Sequence, residues 1–321
     1  MKSKPIFVVA GEPNSIFLEI FFKSLNRIKI KTPIILICSK KLFLLQSKAL
    51  NKKINFRLVS IEDIRQRKYD KKSLNLLNVD LHINKPFNKI SNKSNSYIEK
   101  CFTLALKLIK DGISYKLING PISKKHFLNK KFLGVTEYLA KKTNTKKYAM
   151  LIYNKDLSVS PVTTHLPVRQ IHKKINQKEI MDKIRLINNF FRKYFNFHPS
   201  FGVTGLNPHC ESVNGQNEDK KILIPAIKKL HKLKYKVVGP LAADTIFMKK
   251  NRDNFDVIIG MYHDQVLTPI KTIFEYDAIN ITVGLPFIRI SPDHGPNEKM
   301  LGKNLSNPLS LIRAIQFLEK N

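Results

Sequence analysis

A chain of 321 residues that is 43% hydrophobic can bury one large core or two ordinary ones, which excludes a disordered chain and sets a compact enzyme of one or two domains as the starting expectation. Its 57 lysines and arginines against 24 acids leave a formal charge of +33. That charge is mostly lysine spread through every segment (NKKINF, NKISNKSNS, KKINQK), with no arginine and aromatic stripe and no docking motif, so it argues against a nucleic-acid module and for a field that draws in small anions.

In chain order, short runs rich in Ile, Val and Phe alternate with stretches of helical periodicity, the pattern of a sheet built from crossover units. PIFVVA (5–10), PIILIC (33–38) and INFRLVS (54–60) are predicted strands. The stretch 94–110 is a predicted helix stopped by Gly112, and KLING (116–120) a further strand. Strands are then predicted at YAMLIY (148–153), LSVSPVTT (157–164), FGVTGL (201–206), YKVVG (235–239), FDVIIG (255–260) and AINITVG (278–284). Helices are predicted in QKEIMDKIRLINNFFRKYF, EDKKILIPAIKKLHKL and the closing PLSLIRAIQFLEK (308–320). No segment is apolar for long enough to span a bilayer or to form a signal-peptide core, and Cys38, Cys101 and Cys210 form no CxxC pair. A cytoplasmic protein without disulfides or a cysteine zinc site is expected.

In open α/β sheets the ligand crevice lies beyond the carboxyl ends of the strands. The loops predicted there are GEPNS (11–15), NGPISK (119–124), THLP (164–167), NPHCES (207–212), GPLAADT (239–245) and YHDQ (262–265). Three carry a histidine: His165, His209 and His263. Three imidazoles with an open fourth position are the ligand set of a catalytic metal site, with zinc the best match by ligand type and cobalt, nickel or iron also served by imidazole. The plainer reading of each histidine is a satisfied polar residue at a strand end. Asp264 is placed to fix an imidazole tautomer or to form a turn; Asp244 is an oxygen-donor and catalytic candidate, or a helix cap. Arg289, in the otherwise apolar LPFIRISP, calls for an anionic partner, either a structural carboxylate or a substrate group. No GxGxxG occurs, and GEPNS, with one glycine and a glutamate, is a poor phosphate cradle.

Taken in order, GEPNSI, NGPISK, GVTEYLA, THLPVRQI, GLNPHCES, GPLAADTIF, YHDQVLTPIK and INITVGLPFIRISPDHG resemble, nearly end to end, the 4-hydroxythreonine-4-phosphate dehydrogenase family of pyridoxal phosphate biosynthesis. The resemblance implies two α/β/α domains around a central cleft, an isopropylmalate dehydrogenase-like fold, here divided into 1–120 plus 290–321 and 121–289. It implies a homodimer with a shared active site, a divalent metal (zinc, with cobalt or magnesium as alternatives) on His165, His209 and His263, and NAD or NADP bound by residues that remain unassigned. Its substrate contacts fall on Thr136, Lys271, Asn280 and Arg289, with Lys271 also a candidate for moving protons.

The reaction so implied is oxidation and decarboxylation of 4-phosphooxy-L-threonine to 3-amino-2-oxopropyl phosphate. Val135 stands where the family commonly has a histidine, and the segments 11–19 and 296–303 depart from the family pattern. These departures keep open a second substrate, another phosphorylated hydroxy acid such as a four-carbon sugar acid phosphate. A reading of another class is a non-enzymatic basic α/β protein binding nucleic acid or a phosphometabolite.

Overall fold

The computed structural model describes residues 4–128, 131–211 and 217–321, so Ser212, the last residue of the fourth loop above, lies outside the described residues. The chain forms two α/β units, Met1–Leu139 with Pro286–Asn321, and Ala140–Leu285. They divide after residues 139 and 285 rather than after 120 and 289 as expected. Pro121, His126 and Tyr138 are bonded within the first unit: Glu12 N–H donates to the Pro121 carbonyl (2.9 Å), Asn95 Nδ2 to the His126 carbonyl (3.0 Å) and Tyr138 O–H to Glu99 (2.6 Å).

The first unit runs β1 (Ile6–Val9), α1 (Phe17–Leu25), β2 (Ile34–Cys38), α2 (Lys40–Ala49), β3 (Phe56–Val59), α3 (Ile61–Arg65), β4 (Leu74–Asn78), α4 (Asn95–Lys110), β5 (Lys116–Asn119) and α5 (Val135–Lys142). Its sheet is ordered β3-β4-β2-β1-β5 and is parallel throughout. Burial on both faces explains the unbroken apolar runs of β1 and β2, every residue of which is buried. Helix starts are chemically marked: Ser39 accepts from the Leu42 amide, and Ser60 and Asp63 form a reciprocal capping box.

The second unit runs β6 (Ala149–Tyr153), β7 (Ser158–Thr163), α6 (Val168–Lys174), α7 (Gln177–Phe195), β8 (Phe201–Thr204), α8 (Ile224–Lys232), β9 (Val237–Leu241), α9 (Lys249–Arg252), β10 (Val257–Tyr262), α10 (His263–Phe274) and β11 (Ile279–Val283). Its order is β11-β6-β7-β10-β8-β9; β6 is antiparallel to both neighbours, and the rest is parallel. α7 buries Ile180, Ile184, Ile187 and Phe191, a stripe of helical period. The chain then returns to the first unit as β12 (Ile288–Pro292), parallel to β5, and α11 (Leu309–Lys320). Among the described residues no helix is long and apolar enough to cross a membrane.

The loop expected at 262–265 is instead the first turn of α10. Gln265 makes that turn possible, because its Oε1 accepts from the Met261 amide (2.7 Å), a donor the strand no longer satisfies. Val266, Leu267 and Ile270 then seat the helix on the core formed by Ile152, Val159 and Ile258. The approach is close enough that a Cβ on Gly260 would lie 2.4 Å from Val266 Cγ1.

Candidate functional site

In the second unit β7, β10 and β8 are adjacent and parallel, so the chain leaves all three at the same edge. Tyr262 pairs with Thr163, which puts the residues just beyond, His263 and His165, side by side. Their ring centroids are 5.6 Å apart at 38°. Two imidazoles bound to one ion at ~2.0–2.1 Å have centroids about 5–6 Å apart, so the pair fits two corners of a metal site.

The carboxylate of Asp264 lies 2.7 Å from His263 Nδ1. Donation from Nδ1 leaves Nε2 with its lone pair, the tautomer a metal requires. His165, with φ 36°, and His209, with φ 53°, both hold left-handed backbone, a conformation uncommon outside glycine and concentrated at functional sites.

His209 is brought to the same edge but not to the pair. Beyond β8 the Gly205 amide donates to the Leu241 carbonyl (2.8 Å), drawing the chain toward β9. Fully buried Asp219 then accepts from the amides of Leu206 (2.7 Å) and Asn207 (3.1 Å) and from Asn207 Nδ2 (2.9 Å). His209 ends exposed, and among the described residues no group of three or more His, Cys, Asp or Glu is placed to hold a metal ion.

Asp244 is exposed in the turns after β9, where its charge, with those of Asp219 and Glu211, adds to burial in raising the Cys210 thiol. Lys271 is exposed in the last turn of α10. Asn280 lies on β11, and its Oδ1 is buried with no hydrogen-bond partner among the described residues. An unmet acceptor of this kind suits a ligand O–H or N–H.

In the first unit Arg289, on β12, is 2% exposed. Its Nε donates to Asn119 Oδ1 (2.6 Å) and its Nη1 lies 3.5 Å from Thr136 Oγ1 on α5. Burial lowers the guanidinium to about 10, opposed by the carboxylate of Glu137, so it stays charged at neutral pH. Two neutral oxygens thus bond the arginine, and a carboxylate acts on it. Val135, half-buried, opens α5 directly before Thr136.

The GEPNS loop is packed against its own chain: a Cβ on Gly11 would lie 2.4 Å from the Pro121 carbonyl oxygen. The missing side chain makes room for backbone and not for a phosphate, and no residues are assigned to a dinucleotide. Glu12, 2% exposed, is lifted from 4.5 to about 7 by burial, against the lowering effect of the Asn14 amide and with Glu298 adding.

The folded chain thus binds the Glu12 proton more tightly than the unfolded chain, and stability falls as pH rises from 4.5 to about 7. Glu12→Gln should remove this slope. Melting curves across the window should show the variant gaining on the wild type by about 3 kcal/mol at the upper end; parallel curves would disprove it.

Sequence reasoning missed Gln265 and Asp219. Gln265 Nε2 donates to the Gly205 carbonyl (2.8 Å) while its Oε1 accepts from Thr204 (2.8 Å), tying the start of α10 to the end of β8. Both residues act through strand ends remote in sequence, so no local pattern marks them.

Two α/β units, one with histidines just beyond its strand ends and the other with a buried arginine inside a strand, define an α/β enzyme. The chain belongs to the family of pyridoxal phosphate biosynthetic protein PdxA, whose model matches residues 29–318. It is 35% identical to a 4-hydroxythreonine-4-phosphate dehydrogenase of Sulfurihydrogenibium sp. over 317 residues, 97% of this chain and 96% of that one. It is 29% identical to a D-threonate 4-phosphate dehydrogenase of Salmonella typhimurium over 303 residues, 92% of each. A solved 4-hydroxythreonine-4-phosphate dehydrogenase from Klebsiella pneumoniae superposes with a TM-score of 0.83 at 29% identity, covering 98% of this chain and 97% of that one.

Proposed function

We propose that the chain is an NAD(P)-linked, metal-dependent 4-hydroxythreonine-4-phosphate dehydrogenase of the cytoplasm, acting in pyridoxal phosphate synthesis. The observation that carries this reading is the His165 and His263 pair, with Asp264 setting the tautomer, in a chain 35% identical to such an enzyme over nearly its full length. His165 and His263 hold the divalent metal, and exposed His209 completes the set from a second copy of the chain, in keeping with the homodimer the resemblance implies. When bound, the ion would polarise the substrate's 3-oxygen as a Lewis acid, and the dinucleotide would take the hydride from carbon 3.

The chain's own residues bind and orient the substrate. Arg289, held by its bonds to Asn119 and Thr136, directs its positive charge at an anionic group of the substrate. Thr136 presents a hydroxyl beside it, Asn280 Oδ1 accepts from a substrate donor, and Lys271 either pairs as an ammonium with an anionic end or, as a neutral amine, takes up the hydroxyl proton. Loss of the hydroxyl proton and of a hydride from carbon 3 gives a ketone β to the carboxylate; carbon dioxide then leaves, its bonding pair passing to carbon 2 as the enolate of that ketone, and carbon 2 takes a proton from solvent. Asp244 has no role in this scheme.

The test is cofactor reduction by purified protein supplied with zinc, cobalt or magnesium and with NAD or NADP, on 4-phosphooxy-L-threonine and D-threonate 4-phosphate side by side. The first substrate should give the higher kcat/KM. A second reading, with D-threonate 4-phosphate preferred, is favoured by Val135 and by the relatives named for that substrate; the same comparison decides it. Asp264→Ala should weaken metal affinity by about 10–100-fold, since it removes the acceptor that orients His263. An unchanged metal titration would remove Asp264 from the scheme.

A further inference from the structure

Away from the residues assigned above, the first unit contains a cavity of 740 Å³ lined by Asn14 after β1, Lys41 at the start of α2, Lys85 after β4, and Lys89, Lys93 and Ser94 in the segment leading to α4. β1, β2 and β4 are adjacent parallel strands, so the cavity lies beyond their carboxyl ends, the edge at which open α/β sheets take ligands. Four lysines line it and no acidic residue does. Among the described residues none of the four is ion-paired; Lys41 Nζ donates to a neutral oxygen, Asn84 Oδ1, at 3.0 Å.

The four lysines are exposed, but the wall that carries them is built. Asn14, 5% exposed, accepts from the Asn88 amide at 3.0 Å and donates to the Lys89 carbonyl at 3.5 Å. Gln46, 1% exposed, donates to the carbonyls of Pro13 and Pro86, both at 2.9 Å. The Ile90 amide is tied to Glu298 at 3.0 Å. Two buried amides and a carboxylate therefore pin the segment that carries Lys85 and Lys89. Holding four like charges around one fixed space is unfavourable until an anion enters it. The volume suits a nucleotide, and Pro13, Leu81 and Ile83 supply apolar wall.

We propose that this cavity binds the phosphates of a ligand of nucleoside diphosphate size. Two sources share that chemistry, the adenylate half of a dinucleotide and a free nucleotide. The test is calorimetric titration of the full chain with ADP, for the wild type, Lys85→Ala/Lys89→Ala, and Lys228→Ala/Lys232→Ala, the last removing the same charge from exposed positions on α8. The cavity pair should bind ADP at least about tenfold more weakly than the other two proteins, and wild-type affinity should fall with added salt. Equal affinity in all three, or no ADP binding by the wild type, overturns the proposal.

Once the cavity pair has lost ADP, steady-state kinetics identify the source. A raised KM for the dinucleotide at unchanged kcat assigns the cavity to the cofactor, an arm that rests on the dehydrogenase reading. An unchanged KM assigns it to a free nucleotide. Calorimetry needs no turnover, so failure of the dehydrogenase reading and failure of this one are separable.

Discussion

A chain carrying His263→Ala should lose its divalent metal and its turnover together, the latter by about 10²–10³-fold, the scale on which removing one electrostatic stabiliser of a reacting oxygen is felt. His209→Ala should do the same, although His209 is exposed and apart from the ring pair of its own chain. If a second copy supplies His209, the two inactive variants complement each other. A mixed dimer then has one site with both defects and one with neither, so random exchange of equal amounts should restore about a quarter of wild-type activity. Metal analysis of the single variants and activity after mixing check this. No recovery on mixing, with dimers exchanging, would rule out a shared ligand set; full metal occupancy in His263→Ala would rule out the ring pair as ligands.

The parts of the molecule visible in the sequence are those where local chemistry and tertiary position agree. β1, β2 and β10 as far as Met261 are buried, so their runs are almost wholly apolar, and the glycine at 112, with φ 73°, ends α4 where its stop was expected. β4, Leu74–Asn78, reads LNLLN and gave no signal, because buried Asn75 spends its side chain on the carbonyls of Ile34 and Asp70 and not on a ligand. β12 was hidden by Arg289, a charge that sequence reasoning places near a ligand sooner than inside a ladder.

The candidate site was legible in kind but not in assembly. Strand-end loops located all three histidines, yet which two would meet depends on strand order. β10 lies between β7 and β8, and only the register of Tyr262 with Thr163 makes His165 the neighbour of His263. The displacement of His209 depends on Asp219, ten residues further on and across the turn. The unit boundary differs for a similar reason, since nothing local to Pro121, His126 or Tyr138 announces that their hydrogen bonds run back to Glu12, Asn95 and Glu99.

Arg289→Met separates binding from folding at the other candidate position. Methionine is close in length, unbranched and adaptable, and removing a fully buried guanidinium relieves its desolvation. Against that, Asn119 Oδ1 loses its partner, at a cost of about 1–3 kcal/mol. The two effects oppose each other, so the variant should fold, with a melting temperature within several degrees of the wild type.

Its kcat/KM should nonetheless fall by about 10²–10³-fold, mostly through KM, because charge-assisted bonds to an anionic substrate contribute about 1.5–3 kcal/mol each. Arg289→Lys should not rescue it, since an ammonium cannot bridge Asn119 and Thr136 while also facing a ligand. A KM within about threefold of the wild type in the methionine variant, on the scale where 1.4 kcal/mol is tenfold, would make Arg289 a structural cation held for Glu137, and the anionic end of the substrate would then have to be bound elsewhere.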